Sequence, residues 1–329
     1  MRQSLLTDKF TSFKRLKKDI SLDMFIHNVR YTVGTRIFKL FMYTLLFGIS
    51  FVFLYPFLYM IVTSLKSYKD LNDFTVNWIP KEVKLENYVI AYRALGYKRF
   101  IKNSVLLTVI GTLGHILSCS FIGYGFARYE FPGKRVLFFL VILAIIVPVQ
   151  TLIVPLYITF TNLKWLNTYL PILVPTFFGF GLRGGLFTFI FRQFYLGLPK
   201  ELEDAAKIDG CNFLRTYWNI ALPVARSAFL VVLVLSVVWH WNDFYEPGIY
   251  SNKPQLKTLP MQLDIFNNIV NKPPDDLFDE MMLDEGEQVI NNAVLMAGTF
   301  LTIVPVIAMF SFVQRKFMQG IERSGLGGD

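Results

Sequence analysis

Long uncharged runs alternate with short polar segments along this chain. The first run, residues 41–65, carries no charged side chain and exceeds the ~20 residues that a helix needs to cross a bilayer. Five further runs have a similar length and apolar character. The pattern therefore predicts six membrane-spanning helices, at about 41–65, 103–127, 136–160, 169–191, 224–244 and 293–313.

Basic residues between the runs predict the side of the membrane that each connection occupies. The turn 128–135 and the segment 314–316 are basic, and Lys and Arg accumulate in cytoplasmic loops. Both chain ends are then cytoplasmic, with a basic lead-in at 1–37, a transmembrane domain at 38–320 and a tail at 321–329. Two interpretations of the lead-in stay open, an interfacial amphipathic segment and a disordered tail.

The segments 66–102 and 246–292 are predicted to lie outside the cell. The second is acidic over 275–287, but the D-x-D-x-D-G pattern of a calcium loop is absent, so we expect a solvated or partner-facing loop and no metal site. The first runs against a simple charge count because it contains Lys98, Arg99 and Lys102.

The composition supports a membrane protein and excludes other classes. Of the 329 residues, 53% are hydrophobic and 33 are Phe, which is far too apolar for a soluble domain of this size. The predicted fold class is an all-α polytopic membrane protein embedded in the lipid bilayer. Loops beside the spans carry the net charge of +9, so positive-inside topology explains it and no nucleic-acid partner is expected.

Side chains that carry catalysis or hold metals are scattered. Cys119 and Cys211 show no metal or redox spacing and fall at different depths, so no disulfide is expected. The histidines His27, His115 and His240 are also far apart, which argues against a membrane-embedded enzyme. His240 is interpreted as structural because no ligand partner stands at metal spacing.

The segment 192–223 differs from the runs that flank it, because its pattern is typical of two short amphipathic helices. Pro199 suits a first helical turn, and acidic residues follow where they favour a helix N-terminus. Asp209-Gly210 ends this helix, and Asn212 caps a second, aromatic-rich one. The apolar face predicted for the first helix comprises Leu202, Ala205, Ala206 and Ile208.

A helix–bend–helix between two spans, with aromatic residues on one face, predicts a cytoplasmic docking element. The apolar positions of its second helix are Phe213, Leu214, Tyr217, Trp218 and Ile220. The alternative is an interfacial amphipathic loop without a partner.

One spacing within this segment resembles a known motif. Asp204-Ala205-Ala206, three residues, Gly210, nine residues and then Ile220-x-Leu222-Pro223 resemble the EAA loop of permease subunits in bacterial ABC importers. Asp204 stands where that family usually has Glu, which keeps the charge on a shorter side chain. In the family, the loop inserts into a cleft of the ATPase subunit.

Further stretches, between about residues 55 and 320, resemble the carbohydrate-uptake branch of these permeases. They are Thr63-Ser64-Leu65-Lys66, Trp78-Ile79-Pro80, Asn103-Ser104, Ala127-Arg128, Phe131-Pro132-Gly133, Val147-Pro148-x-Gln150, Pro155-Leu156-Tyr157, Arg192-Gln193-Phe194, Trp241-Asn242-Asp243-Phe244, Leu259-Pro260 and Gln314-Arg315. Their common order beside the EAA-like loop makes the resemblance specific.

The resemblance implies one permease subunit of an ATP-driven importer in a bacterial plasma membrane. A second homologous permease, an ABC ATPase dimer and an extracellular solute-binding protein would be its partners. The chain has no GxxxxGK[ST] phosphate loop, so ATP and magnesium belong to the ATPase, and the chain itself is neither an enzyme nor a cofactor carrier. The implied ATPase-coupling residues are Glu203, Asp204, Ala205, Ala206, Asp209 and Gly210.

Polar side chains within or beside the spans are candidates for the substrate pathway. They are Gln150, Arg183, Trp241, Asn242 and Asp243. An arginine inside a span is costly and is by default a functional hypothesis. Arg183 either binds substrate, pairs with a partner subunit or extends toward the cytoplasm, and Gln150 faces a pathway or bonds a neighbouring helix. The aromatic group at 239–245 is interpreted as an interfacial anchor with a polar network, or as a sugar contact.

The substrate and the transport class leave alternatives open. A neutral oligosaccharide is the expected substrate, and an anionic sugar or sugar phosphate is the alternative because of Arg183. A secondary transporter would usually carry more ionisable residues in its spans. A scaffold or receptor would not associate with an ATPase.

Overall fold

The computed structural model describes residues 35–181, 183–271, 283–284, 287–288 and 290–325, with side chains as far as Arg315. Most of the predicted lead-in, most of the acidic stretch 275–287 and the end of the predicted tail lie outside the described residues. Contacts divide the chain into two compact units, Met1–Tyr59 and Met60–Asp329.

Helix α1, Thr35–Ser64, corresponds to the first predicted span. It has 30 residues and a mean hydropathy of 2.2, which suffices to cross a bilayer. Within the first unit, the side chains from Arg36 to Tyr59 are all exposed. An apolar helix with this degree of exposure suits lipid as its surrounding solvent.

The second unit is built almost entirely of helices. The α-helices are α2 (Tyr68–Asn72), α3 (Glu86–Ala94), α4 (Tyr97–Arg128), α5 (Lys134–Ile146), α6 (Val149–Asn162), α7 (Leu170–Leu173), α8 (Gly184–Leu196), α9 (Glu201–Ile208), α10 (Phe213–Thr216), α11 (Leu222–Val224), α12 (Arg226–Asn242), α13 (Tyr245–Tyr250), α14 (Leu259–Val270) and α15 (Asn292–Gly325). The remaining elements are 3₁₀ turns at Val174–Phe178 and Pro254–Leu256, a π turn at Tyr217–Ala221, and an antiparallel pair of two-residue strands, β1 (Leu283–Asp284) and β2 (Glu287–Gln288).

Helix α4 is the centre of this unit and packs against α8, α12 and the 3₁₀ turn at Val174–Phe178. It begins at Tyr97, six residues before the predicted span, so Lys98, Arg99 and Lys102 belong to its first turns. Gly96, at φ 55°, sets the chain direction before the helix.

Small residues allow the close approach that the sequence predicted for α4. A Cβ on Gly111 would come within 2.7 Å of the His240 ring, and one on Gly114 would clash with Thr176 Oγ1. A Cβ on Gly123 would lie 2.9 Å from the backbone nitrogen of Arg192. The neighbouring elements therefore touch the backbone of α4 itself.

The third predicted span, 136–160, is not one helix. The chain bends by 107° between helices α5 and α6, and the break lies at Val147-Pro148. Proline keeps the preceding residue out of the helical region, and Val147 is accordingly extended at ψ 122°. The carbonyl of Pro148 is satisfied by the backbone nitrogen and hydroxyl of Thr151, at 3.1 and 2.7 Å.

The fourth predicted span, 169–191, is also interrupted. The 3₁₀ turn Val174–Phe178 ends at Gly179, and α8 begins only at Gly184. Between them Gly179, Gly181 and Arg183 all have positive φ, a conformation that breaks a right-handed helix. The expectation of a single continuous helix here was therefore wrong.

The fifth predicted span, 224–244, corresponds to helix α12, Arg226–Asn242. The segment Phe213–Val224 and α12 form a pair bent by 76° at Ala225. Within the described ranges, three helices are long and apolar enough to cross a membrane, and five if each bent pair forms one span. The structure is that of a helical membrane protein whose spans are interrupted more often than the hydrophobic pattern indicates.

We predict that replacing Gly123 of α4 by alanine lowers the stability of the protein, whereas the same change at Gly125 does not. Gly123→Ala forces a Cβ against the Phe191 Cβ at 2.7 Å and the α8 backbone, so overpacking should destabilise the protein by about 1–3 kcal/mol. Gly125→Ala is the control, because nothing lies within 4 Å of its new Cβ. Thermal unfolding of the detergent-solubilised protein checks this, and equal midpoints for the two variants would contradict the packing described for α4.

Candidate coupling surface and substrate pathway

The first helix of the segment 192–223 is α9, which closes its first turn on Lys200. The backbone nitrogens of Glu203 and Asp204 both donate to Lys200 O at 3.0 Å. Pro199 therefore precedes the helix. The sequence had suggested that it occupies the first turn. The predicted acidic first turn is present, since Glu201 also lies in it.

The bend between the two helices has the predicted local structure. Gly210 adopts φ 79° directly after α9, and the side chain of Asn212 accepts a hydrogen bond from Arg215 N at 2.9 Å. Helical turns then continue from Phe213 to Val224. Glycine and asparagine specify this bend through their own backbone and side-chain chemistry.

The implied coupling residues divide into two groups. Glu203 and Ala206 are buried, whereas the other four are exposed. Asp204 accepts from Lys207 Nζ at 3.0 Å on the surface of the same helix. The exposed members are thus available to a partner, and the buried members hold the loop against its own chain.

A buried ion pair joins α9 to α4. Glu203 Oε1 lies 2.8 Å from Arg128 Nε, and the two side chains are only 10% and 4% exposed. The Nε–H is not aligned for a hydrogen bond, so this contact is an ion pair by distance. Arg128 Nη2 also donates to Leu198 O at 2.7 Å, just before α9. Sequence analysis placed Arg128 in a basic turn and missed this partner.

Apolar side chains cover the outside of the segment. Only Ala206 of the predicted apolar face is buried, and Ile208 is 87% exposed. We call the exposed set the outer face; it consists of Leu202, Asp204, Ala205, Ile208, Leu214 and Trp218. Exposed apolar side chains, several of them along one short segment, are candidates for a surface that a partner covers.

The inner side of the second helix is held by hydroxyl groups and aromatic rings. Tyr217 Oη donates to Ser120 Oγ at 3.0 Å, and Ser120 Oγ shares a hydrogen bond of 2.9 Å with Tyr195 Oη. The ring of Tyr124 packs against Tyr195 and Phe213. This chain of contacts connects α4, α8 and the loop.

Two of the pathway candidates lie beside the breaks in the spans. Gln150 is exposed in the first turn of α6, next to Pro148. Arg183 is exposed at the start of α8, with φ 65° and its guanidinium 5.4 Å from the ring centre of Trp239. No carboxylate in the described part of the chain pairs with Arg183. Each of these two breaks in the predicted spans therefore has an exposed polar side chain beside it.

The remaining candidates, Trp241, Asn242 and Asp243, have differing surroundings. Trp241 is buried and its Nε1 donates to Thr302 O at 3.0 Å. Asn242 is exposed, and its amide donates to Val238 O of its own helix. Asp243 Oδ1 accepts from the backbone nitrogens of the first two residues of α13, each at 3.1 Å. This geometry favours a structural role for two of the three residues. Trp241 anchors α12 to α15, and Asp243 caps the start of α13.

His240 contacts a second histidine, a partner that its place in the sequence did not indicate. Its Nε2 lies 3.1 Å from Nδ1 of His115 in the buried contact between α12 and α4. His115 Nε2 lies 3.3 Å from Phe180 O in the interrupted fourth span. The two histidines are 125 residues apart in the sequence, so the residues around each of them did not indicate this pair.

Comparison with known proteins identifies the class of molecule. Residues 119–323, more than half of the chain, match the family described as "Binding-protein-dependent transport system inner membrane component". The chain belongs to this family. Its members are permeases of ABC transporters, and the curated relatives include sugar permeases.

Two relatives and one solved structure illustrate the similarity. The arabinooligosaccharides transport system permease protein AraQ of Halalkalibacterium halodurans is 30% identical over 85% of this chain and 93% of its own. The probable starch degradation products transport system permease protein AmyC of Thermoanaerobacterium thermosulfurigenes is 28% identical over 83% and 91%. A bacterial ABC transporter structure involved in import of the acidic polysaccharide alginate shares the fold, with a TM-score of 0.71 at 22% identity, covering 86% of this chain and 97% of that one.

One further acid of this permease lies beside the 241–243 motif and was missed from sequence. Glu246, in α13, is buried. Burial, and to a smaller extent the neighbouring Asp243 charge, raise the pKa of its carboxyl to about 8. A buried carboxyl that keeps its proton near neutral pH makes the end of α12 sensitive to pH.

We predict that Glu246 makes the permease less stable as pH rises. Because the native state holds a proton that the unfolded chain releases from 4.5 upward, stability should fall between there and about 8. Glu246→Gln should flatten this part of the profile of unfolding midpoint against pH. Glu130→Gln is the control, since Lys134 lowers the pKa of Glu130 and its titration lies below the window. An unchanged slope in Glu246→Gln would refute the assignment.

Proposed function

We propose that this chain is the transmembrane permease subunit of an ATP-driven importer that moves a carbohydrate from an external binding protein into the cytoplasm. Membership of the binding-protein-dependent family and the sugar-transport names of its relatives support this. The observation that carries the coupling role is the outer face, an exposed apolar surface on a capped helix–bend–helix.

In this proposal the chain crosses a bacterial plasma membrane six times, with both termini in the cytoplasm. Helices α1, α4 and α15, the bent pair α5–α6 and helix α12 supply five crossings. The interrupted segment from Leu170 to Leu196 supplies the sixth, with its break lining the pathway. The segment 192–223 then lies on the cytoplasmic side, which suits a contact with an ATPase.

The chain itself performs no catalysis in this proposal. An ABC ATPase dimer binds ATP and magnesium, and a second homologous permease completes the pathway. Asp204, Ala205, Asp209 and Gly210 contact the ATPase, because they are exposed. Glu203 and Ala206 serve the same function indirectly, by holding the loop in place.

An oligosaccharide is the favoured substrate. The relatives AraQ and AmyC are named for transport of arabinooligosaccharides and of starch degradation products. These similarities cover more than four fifths of the chain, including all the proposed pathway residues. We infer a saccharide of several units as the cargo.

The first test changes the most exposed side chain of the outer face. Ile208→Glu places a charge where an apolar contact is proposed, so the ATPase should no longer co-purify with the permease pair. Ile79→Glu is the matched control, because Ile79 is 84% exposed on the segment predicted to lie outside. The measurement is the amount of ATPase retained, together with ATP hydrolysis in lipid with and without loaded binding protein.

Retention of the ATPase by Ile208→Glu at the level of Ile79→Glu would contradict docking at the outer face. Failure of the unmodified chain to associate with any ATPase would overturn the importer proposal itself, and would return the secondary-transporter and scaffold alternatives.

An acidic saccharide is a second candidate because Arg183 is exposed beside a break in the span without a described carboxylate partner. If it contacts an anionic substrate, Arg183→Gln should reduce uptake of alginate oligosaccharides by about 10- to 100-fold, the usual range for a charged hydrogen bond. Uptake of neutral arabinooligosaccharides and maltodextrins should change little. Equal effects on neutral and acidic substrates would instead indicate that Arg183 is structural.

A further inference from the structure

The last turns of α4 hold the loop through side-chain contacts. Arg128, the final residue of α4, contacts Glu203 of α9 and also bonds Leu198 O before it. Ser120, two turns earlier, bonds Tyr217 of the second helix. Both halves of the helix–bend–helix are therefore fastened to one stretch of one helix.

The direct route along the chain into α12 is less rigid. The π turn Tyr217–Ala221 precedes α11, and the chain then bends by 76° at Ala225 before α12 begins. Short helical pieces joined by a bend of this size transmit movement poorly. Helix α4, in contrast, continues unbroken for 32 residues. Movement of the loop is thus transmitted more directly into α4.

The stretch of α4 just before Ser120 contacts the interrupted fourth span. Ser118 Oγ donates to Thr176 O at 2.6 Å, and His115 contacts Phe180 O. These acceptors lie just before Arg183, at the break proposed to line the pathway. A rotation of α4 would therefore act on the backbone of the break itself.

We propose that α4 is the element that carries movement of the loop to the pathway, and that Arg128 is its attachment point. This inference rests on the proposed function. Arg128 and Glu203 are positioning residues, because they contact neither substrate nor ATP. A buried ion pair suits such a role, since removing one partner leaves a charge stranded in a low-dielectric site.

The test separates coupling from folding by removing both charges together. Single variants strand a buried charge and destabilise the protein, whereas the double change Arg128→Gln/Glu203→Gln removes both charges and should fold. The matched control is Lys134→Gln/Glu130→Gln, because that ion pair has the same 2.8 Å separation but joins the turn after α4 to the first residue of α5 and includes no residue of the loop. Each variant is reconstituted in lipid with the partner permease, ATPase and binding protein.

We measure oligosaccharide uptake per ATP hydrolysed, with the arabinooligosaccharide, maltodextrin and alginate probes, and ATPase retention. The double variant should retain the ATPase and hydrolyse ATP, while uptake per ATP falls about tenfold, within the usual range of coupling between sites. The control should match the wild type.

Wild-type uptake per ATP in a stable double variant would overturn the role of Arg128 and leave the importer proposal intact. Absence of binding-protein-stimulated hydrolysis in the wild type would instead overturn the importer proposal, and this inference with it.

Discussion

The close approach of α4 to an interrupted span is the contact on which the rest of the structure depends. In a bilayer, lipid tails are as apolar as leucine, so helices associate through packing and hydrogen bonds. Glycines at 111 and 114 let neighbouring side chains reach the backbone of α4, and Gly123 lets the backbone of α8 do so. Only at such short range do Ser118 and His115 reach the carbonyls of the broken segment.

The interruptions follow from the same constraint. A backbone carbonyl freed inside a membrane needs a partner, so a broken span is tolerated only where neighbouring groups supply one. Thr151 supplies it at the first break, and α4 supplies it at the second. Irregular backbone is thereby placed beside exposed polar side chains such as Arg183, an arrangement suited to passage of a hydroxyl-rich molecule.

Local chemistry was predictable from sequence, and long-range pairing was not. The helix end at Gly210 and the cap at Asn212 depend on one or two residues, and the small residues of α4 signal close packing wherever they occur. Hydropathy reports apolar character and not backbone direction, so it did not locate the break at 179–183, whereas Pro148 itself signals an interruption at 147–148. The pairs Arg128–Glu203 and His115–His240 join distant parts of the chain, and no spacing rule connects them.

The division of the EAA-like segment into buried and exposed members has an evolutionary consequence. Ala205 is exposed, whereas Ala206 and Glu203 are buried and Glu203 pairs with Arg128 of α4. The segment is thus not a self-contained module. A chimera that receives the loop of a relative also receives the exposed residues of that loop. We expect the loop to pack in its new host only if the second span of the host ends in an arginine at the position of Arg128.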